Sequence, residues 1–258
     1  MSAGRTFRRI QSTPARAHEF WKYHWIVYHK TIRALRDARR HAHGVLLDVG
    51  CGAKPFAYLF DGRVARYWGS DLRGSRYLEG ARGPDVYARS EALPFRDASV
   101  DTVLGLSMLT YLPEPLEMIR EANRVLKPGG VLLLEFTQMV PLHDAPWDFF
   151  RFTRHGARYL LERGGFEALE VHPIGGLWTR VALSAMEPLN RLNRGPWRVL
   201  TELPVRALYV GIQLGGEALD RVFFDPREVI GHLVVARKVR AALDDDPARA
   251  VAAATRAT

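Results

Sequence analysis

Short apolar runs alternate with helix-spaced apolar positions along most of the chain. Residues 45–49 form a short buried strand that runs into glycines. Residues 65–70 read as a second strand, 85–88 as a short third, and 100–106 as a fourth with Asp101 near its start. Residues 115–126 carry Leu116, Ile119, Val125 and Leu126 at helical spacing, and Lys127-Pro128-Gly129-Gly130 stops the helix. Residues 131–136 are almost entirely apolar, as expected of a central strand covered on both faces. A helix over 156–163 ends at Gly164-Gly165; Thr153 is a candidate N-cap if it begins near Arg154. Strands over 166–171 and 231–238 complete a set of seven. Strand–helix alternation of this kind predicts an α/β fold, a mostly parallel sheet with helices on both faces.

Three stretches depart from that rhythm. Residues 18–42 predict one helix, with Phe20, Trp21, Trp25, Tyr28, Ile32 and Leu35 recurring at three-to-four spacing, and Gly44 closes it. Residues 176–229 are rich in Leu and aromatic residues but broken by Pro188, Pro196 and Pro204, and predict two or three short helices inserted before the last strand. Residues 241–258 are mostly Ala, Asp and Arg and are expected to be a disordered tail, as are 1–16 at the other end. The expected organisation is a basic N-terminal arm and helix (1–43), one α/β domain (44–240) with the insertion at 176–229, and the tail.

Length and composition narrow the class. At 258 residues the chain suits one domain with an insertion. Cys51 is the only cysteine, so no internal disulfide forms, which fits a reducing compartment. No run of about 18 apolar residues predicts a spanning helix, and no apolar leader with a small-residue cleavage site is seen. The Arg-rich, acid-poor start also has the composition of a mitochondrial transit peptide, but the aromatic helix beginning near His18 argues for folded structure. A cytoplasmic location is expected. The net charge of +9 is concentrated in residues 1–43, where ten basic residues face two acids. A local basic arm fits an anionic partner, whether phosphate-bearing substrate, membrane surface or nucleic acid; it fits equally a solvated helix face.

The sharpest motif is Leu46-Leu47-Asp48-Val49-Gly50-Cys51-Gly52-Ala53-Lys54-Pro55, where a buried strand turns toward an expected helix. Glycines there let the backbone turn tightly and approach a ligand closely, and the helix would present free N–H groups. Alone, the motif also fits a nicotinamide enzyme or a tight connection with no ligand. About twenty residues on, Asp71 ends the second strand, where an acid accepts hydrogen bonds from ribose hydroxyls. Then follow Ser90-Glu91-Ala92-Leu93-Pro94-Phe95, Asp101, and Arg124-Val125-Leu126-Lys127-Pro128-Gly129-Gly130.

This ordered series resembles the class I S-adenosylmethionine (SAM)-dependent methyltransferases, in the branch sharing the small-molecule methyltransferase domain. The likeness runs from about Gly44 to Phe136, and with less specificity to Val171. It implies a Rossmann-like seven-stranded sheet with an antiparallel last strand, and SAM as cofactor. By resemblance, Asp48, Gly50 and Gly52 hold the methionine part and Asp71 the ribose, with Cys51 and Leu72 beside them. Arg89, Ser90 and Glu91 lie beside the adenine, and Leu106 and Ser107 border the sulfonium. The sequence departs from the family at three places. Lys54 stands where a third loop glycine is common, Arg89 where an Asp is common, and Thr110-Tyr111 where Glu-His often follows the fourth strand.

Residues 141–153, Pro-Leu-His-Asp-Ala-Pro-Trp-Asp-Phe-Phe-Arg-Phe-Thr, follow the fifth strand at the ligand-binding edge of such sheets. A loop so dense in rings and titratable groups suits a lid or substrate wall. It resembles a stretch in bacterial methyltransferases often associated with cell-surface glycan assembly, which implies a glycan or other small-molecule acceptor. His143 is the first candidate general base, histidine being the residue type that takes up a proton near neutrality. Asp148 would orient it or bind a sugar hydroxyl, and Arg151 would hold a carboxylate or phosphate. Equally, Asp148 and Arg151 simply pair with each other. Cys51 between glycines is expected to pack as a small apolar residue. His24, His29, His41 and His43 lack a supporting acid or Cys cluster, so no metal is expected.

Methyl transfer from a sulfonium is an in-line substitution that needs alignment, exclusion of water and, for a hydroxyl acceptor, one base. An oxygen acceptor is therefore preferred. The apolar insertion, with Arg180, Arg191, Arg194, Arg198 and Arg206, would suit a membrane-proximal acceptor, or else cap the active site or form a dimer face. Three other classes compete, one of them a nucleic-acid methyltransferase, which would explain the positive charge. A nicotinamide-dependent oxidoreductase needs Gly-x-Gly-x-x-Gly, but position 55 is proline. A non-catalytic SAM-binding or scaffold protein would keep the fold without the base. No Asn/Asp-Pro-Pro-Tyr/Phe signature follows the fourth strand, where Ser107-Met108-Leu109 stand, so no nucleic-acid partner is expected.

Overall fold

The computed structural model describes residues 19–75, 78, 83–193 and 198–241. The expectations for 1–18, for Arg194, Pro196 and Trp197, and for 242–258 lie outside them.

Seven strands form one sheet: β1 (Val45–Val49), β2 (Arg66–Asp71), β3 (Val86–Tyr87), β4 (Val100–Gly105), β5 (Leu126–Thr137), β6 (Phe166–Ile174) and β7 (Gly231–Lys238). Their order is β3-β2-β1-β4-β5-β7-β6. The first five run parallel, and β7 runs antiparallel to both β5 and β6. The chain reverses its direction of winding between β1 and β4. Beyond the strands' carboxyl ends, such a reversal is where sheets of this kind form the crevice that binds ligands.

Both faces of the sheet are covered. Leu46, Leu104, Leu133 and Val235 pack with Ile32, Leu35 and Ala38 of helix α1 (Trp25–Ala38). Leu47, Val103, Leu132 and Val234 pack on the other face. There they meet Met118, Ile119 and Ala122 of α2 (Pro115–Val125) and Ala157 and Leu161 of α3 (Arg154–Arg163). Consecutive residues of each central strand thus enter opposite cores, which is why these strands read as unbroken apolar runs. Thr153 caps α3 by accepting the Gly156 N–H at 3.1 Å.

The remaining differences have physical causes. No α-helix follows the glycine loop; a single 3-10 turn, Ala57–Phe60, connects it to β2. Pro55 lacks an N–H, and Gly62 at φ 73° already turns the chain toward β2. Lys127-Pro128-Gly129-Gly130 lies within β5, as a bulge: Val100 pairs with Leu126 but Thr102 with Val131. The N-terminal helix is shorter than its aromatic pattern, with turns before Trp25 and a 3-10 turn over Arg39–His41. The insertion forms two long helices, α4 (Leu177–Leu192) and α5 (Arg198–Val222), which run through Pro188 and Pro204.

Gly44 illustrates how the β1–β4 contact is secured. It sits at φ 60°, and an added Cβ would lie 2.2 Å from Asp101 Oδ2. That oxygen accepts the Val45 N–H at 2.8 Å, and Oδ1 accepts Lys127 Nζ at 2.7 Å. Gly44→Ala is expected to cost about 2 kcal/mol from the left-handed backbone and the displaced carboxylate, measured as a lower midpoint in urea unfolding.

Candidate active site

The site begins with register. Parallel pairing sets Asp48 beside Gly69 and Val49 beside Ser70. The Ser70 carbonyl then accepts the N–H groups of Gly50 (2.9 Å) and Cys51 (3.0 Å). Gly50 at φ 70° and Gly52 at φ 48° bend the chain back over the end of β2, in backbone conformations that favour glycine. The turn brings the Gly52 N–H within 2.7 Å of Asp71 Oδ2, while Asp71 Oδ1 accepts the Leu72 N–H at 2.7 Å. Asp71 therefore faces the glycine turn, and each of its oxygens keeps a lone pair for a further donor. Leu72 is exposed beside it.

Asp48 is buried under this turn. The Tyr67 hydroxyl donates to its Oδ2 at 2.5 Å. Burial pushes the carboxyl up to about 7, Asp71 acts in the same direction, and Tyr67 and Lys54 oppose it. Cys51 packs between β1 and β2, and burial pushes its thiol far above the ordinary range. Lys54 adopts φ 56°, the backbone conformation a third loop glycine would supply. Its ammonium reaches Asp85 Oδ2 at 2.6 Å, and the same oxygen accepts the Gly69 N–H at 2.7 Å. Gly69 is obligatory, since an added Cβ would lie 2.4 Å from Lys54 Cε and 2.7 Å from Cys51 Sγ.

Two further groups border the crevice. Ser90 is buried and donates to Glu91 Oε2 at 2.9 Å, and Arg89 pairs with Glu91 at 3.2 Å. Those contacts hold the Glu91 carboxyl below its ordinary value, although burial opposes them. Ser107 follows β4 at φ 51° and donates to Glu135 Oε2 at 3.0 Å. Glu135 is buried near the carboxyl end of β5, and burial pushes its carboxyl up against the bonds from Ser107.

The loop after β5 is tied down by Asp148 and Arg151. Arg151 forks onto Asp148 and also donates to the carbonyls of Val140, Phe150 and Pro141. The Arg151 contact holds the Asp148 carboxyl far below the usual range. With its guanidinium so engaged, Arg151 braces the loop. Asp148 also accepts the His143 N–H at 2.9 Å, so it positions the histidine backbone. The His143 ring is fixed at both nitrogens: Nδ1 lies 3.0 Å from the Pro141 carbonyl and Nε2 lies 2.8 Å from the Tyr111 hydroxyl. A carbonyl only accepts, so Nδ1 carries the proton and Nε2 is the basic nitrogen receiving the Tyr111 O–H. The Thr110 carbonyl accepts the Phe149 N–H at 2.9 Å, which anchors the loop to the segment after β4.

The structure thus brings Asp48, Gly50, Cys51, Gly52 and Asp71 to one turn, and His143, Asp148 and Arg151 to one loop. Tyr67, Asp85 and Glu135 were not singled out in the sequence, and Tyr111 only as a departure from the family's pattern after the fourth strand. For Glu135 a signal existed: one acid inside an otherwise apolar strand. Among the described residues no group of three or more His, Cys, Asp or Glu could hold a metal ion. His41 and His172 instead flank Glu170, each at 2.8 Å.

The family model described as a methyltransferase domain matches residues 47–134. An uncharacterized methyltransferase of Mycolicibacterium paratuberculosis is 33% identical over 77% of this chain and 85% of its own length. A probable S-adenosylmethionine-dependent methyltransferase of Mycolicibacterium smegmatis is 32% identical over 61% and 63%. The chain spans about half the length of other mycobacterial relatives, 54% in one from Mycobacteroides abscessus. A putative methyltransferase from Bacillus halodurans has the same fold, with a TM-score of 0.50 at 20% identity over 81% of this chain and 98% of that one. The chain belongs to the methyltransferase family, and its cofactor is SAM. The site fits that group: the left-handed glycine turn exposes backbone for close approach, and Asp71 faces it with lone pairs to spare.

The raised Asp48 carboxyl has a consequence for stability. Its folded pKa of about 7 lies above the ordinary carboxylate value of about 3.9. The folded state therefore binds the extra proton, and stability falls as pH rises from about 4 to about 7, then stays level. Asp48→Asn is expected to flatten that part of the profile and to raise the neutral-pH stability of the cofactor-free protein by on the order of 2 kcal/mol. Urea unfolding between pH 4 and 8 measures it; parallel profiles for the two proteins would show Asp48 ionised throughout.

Proposed function

We propose that this chain transfers the methyl group of SAM to a hydroxyl of a glycan or other small-molecule acceptor. The observation that carries the reading is the imidazole of His143, held at Nδ1 by Pro141 and turned at Nε2 toward the Tyr111 hydroxyl beyond the carboxyl ends of β4 and β5. A hydroxyl acceptor is a poor nucleophile until its proton leaves, and an amine acceptor needs that help less. Here the proton passes from the acceptor oxygen to the Tyr111 oxygen as the Tyr111 proton passes to His143 Nε2. Tyr111 and His143 are the catalytic residues in this reading; Asp148 and Arg151 are positioning residues.

The acceptor class is supported by the loop's exposed rings. Trp147, Phe149 and Phe150 are all open to solvent, and their centroids lie 6.4 and 6.5 Å apart along the row. Ring faces of this kind pack against the C–H faces of sugars while hydroxyls remain free for polar partners. When bound, SAM supplies the electrophilic methyl group. The chain's own contribution is to hold the ribose at Asp71, align the acceptor against the rings and accept one proton.

Calorimetric titration with SAM, S-adenosylhomocysteine and NAD in parallel tests the cofactor. Binding of both adenosyl ligands and not of NAD is expected; the reverse would overturn the assignment. With radiolabelled SAM and a panel of methyl glycosides, His143→Ala and Tyr111→Phe are each expected to lower turnover by about 10²–10⁴-fold while leaving SAM affinity within about twofold. Unchanged turnover in both variants would leave a methyltransferase that does not use this base.

A further inference from the structure

The insertion presents two unlike faces. Inward, α5 turns Val205, Tyr209, Gln213, Glu217 and Asp220 against α4 and α1. Gln213 accepts the Ile26 N–H at 3.0 Å and donates to the carbonyls of Phe20 and Lys22, and Lys30 pairs with Glu217 at 2.6 Å. Outward, every exposed residue of α5 is Val, Leu, Ala, Gly or Pro, except Arg198 in its first turn and Arg221 in its last. Val199 is 90% exposed, Leu203 78%, Leu200 73% and Val222 71%. Twenty-five residues of helix make this an uninterrupted apolar strip about 37 Å long. Exposed Phe223 and Phe224 extend it.

We infer that this strip lies in the surface of an anionic lipid bilayer, with α5 parallel to the membrane plane. Three observations favour lipid over a second copy of the chain. The strip is one face of a single helix. Its two most exposed charged side chains, Arg198 and Arg221, stand at its ends, each paired with a glutamate of the same helix. Any two-fold pairing of α5 with its copy sets arginine ends against arginine ends, whether parallel or antiparallel, whereas anionic headgroups neutralise them. The basic arm also enters the described structure at α5: residues 1–18 hold Arg5, Arg8, Arg9 and Arg16 and no acid, and the chain continues into Phe20 and Lys22, which Gln213 holds. Basic segments next to an interfacial apolar helix add attraction to anionic lipid. No helix among the described residues is long and apolar enough to cross a membrane, so the strip's place is the interface.

The test is sedimentation of the full chain with vesicles of phosphatidylcholine alone and of phosphatidylcholine with an equal amount of phosphatidylglycerol, at low and high salt. Light scattering without vesicles gives the oligomeric state. The expected result is binding to the anionic vesicles, weakened by salt. It should fall about tenfold or more in Leu203→Glu/Leu214→Glu, both exposed positions at which circular dichroism verifies the fold. Gly215→Leu separates lipid from helix pairing. An added Cβ at Gly215 meets nothing within 4 Å, so bulk there keeps or raises lipid binding but breaks close helix contact. Absence of binding, binding untouched by the double glutamate variant, or a dimer that Gly215→Leu dissociates without any vesicle binding would each overturn the inference.

Discussion

The contact on which the site depends is the backbone N–H of Gly52 against the carboxylate of Asp71. It exists because β1 and β2 pair in parallel with a register that ends both strands together. The Ser70 carbonyl, already used by Gly50 and Cys51, pins the turn to the strand end from which Asp71 projects. A slip of one residue would turn Asp71 to the opposite face of the sheet and separate the turn from its acid. The obligatory glycine at 69 protects that register. Only a residue without Cβ lets Cys51 and the Lys54 stem lie across β2.

Much of this was legible in the sequence, and the reason is locality. β1 and β7 match their expected spans residue for residue, because each centres on a short apolar run bounded by glycine or charge. Asp71 could be found from spacing alone, since a parallel strand pair returns to the same edge after a fixed length of chain. What local pattern could not supply was the partner of a side chain across nineteen or more residues. The Tyr67–Asp48, Lys54–Asp85 and Tyr111–His143 contacts each join segments whose adjacency only sheet register or loop anchoring creates. The missing helix after the glycine turn is a different failure. The glycine-rich turn after a buried strand predicts one there, but Pro55 and Gly62 accompany only a 3-10 turn.

The loop after β5 reconciles two readings that the sequence left open. Asp148 and Arg151 do pair with each other, as the plainer reading held. Yet the pair is not idle, because Asp148 also takes the His143 N–H and Arg151 gathers three loop carbonyls. A part-buried, multiply bonded ion pair of this kind fixes backbone geometry more than it adds stability. The loop therefore needs its charges to hold the imidazole at a set angle to Tyr111.

The insertion obeys the same economy of polar groups. Asp220, in the last turn of α5, accepts N–H groups from Gly176, Trp178 and Thr179, and so caps the start of α4 from a position more than forty residues away. A carboxylate among the free N–H groups of a helix N-terminus is favourable on both hydrogen-bond and dipole grounds. Because this cap closes the helical hairpin from within, together with Lys30, Glu217 and Gln213, three polar side chains in the C-terminal half of α5 are committed to its inner face. The outer face is left apolar by that commitment. A helix whose buried side is polar and whose exposed side is apolar is inverted relative to an ordinary surface helix. That inversion in the C-terminal half is stable in water only at a cost, and the apolar outer face of α5 is the physical ground for seeking its partner outside the chain.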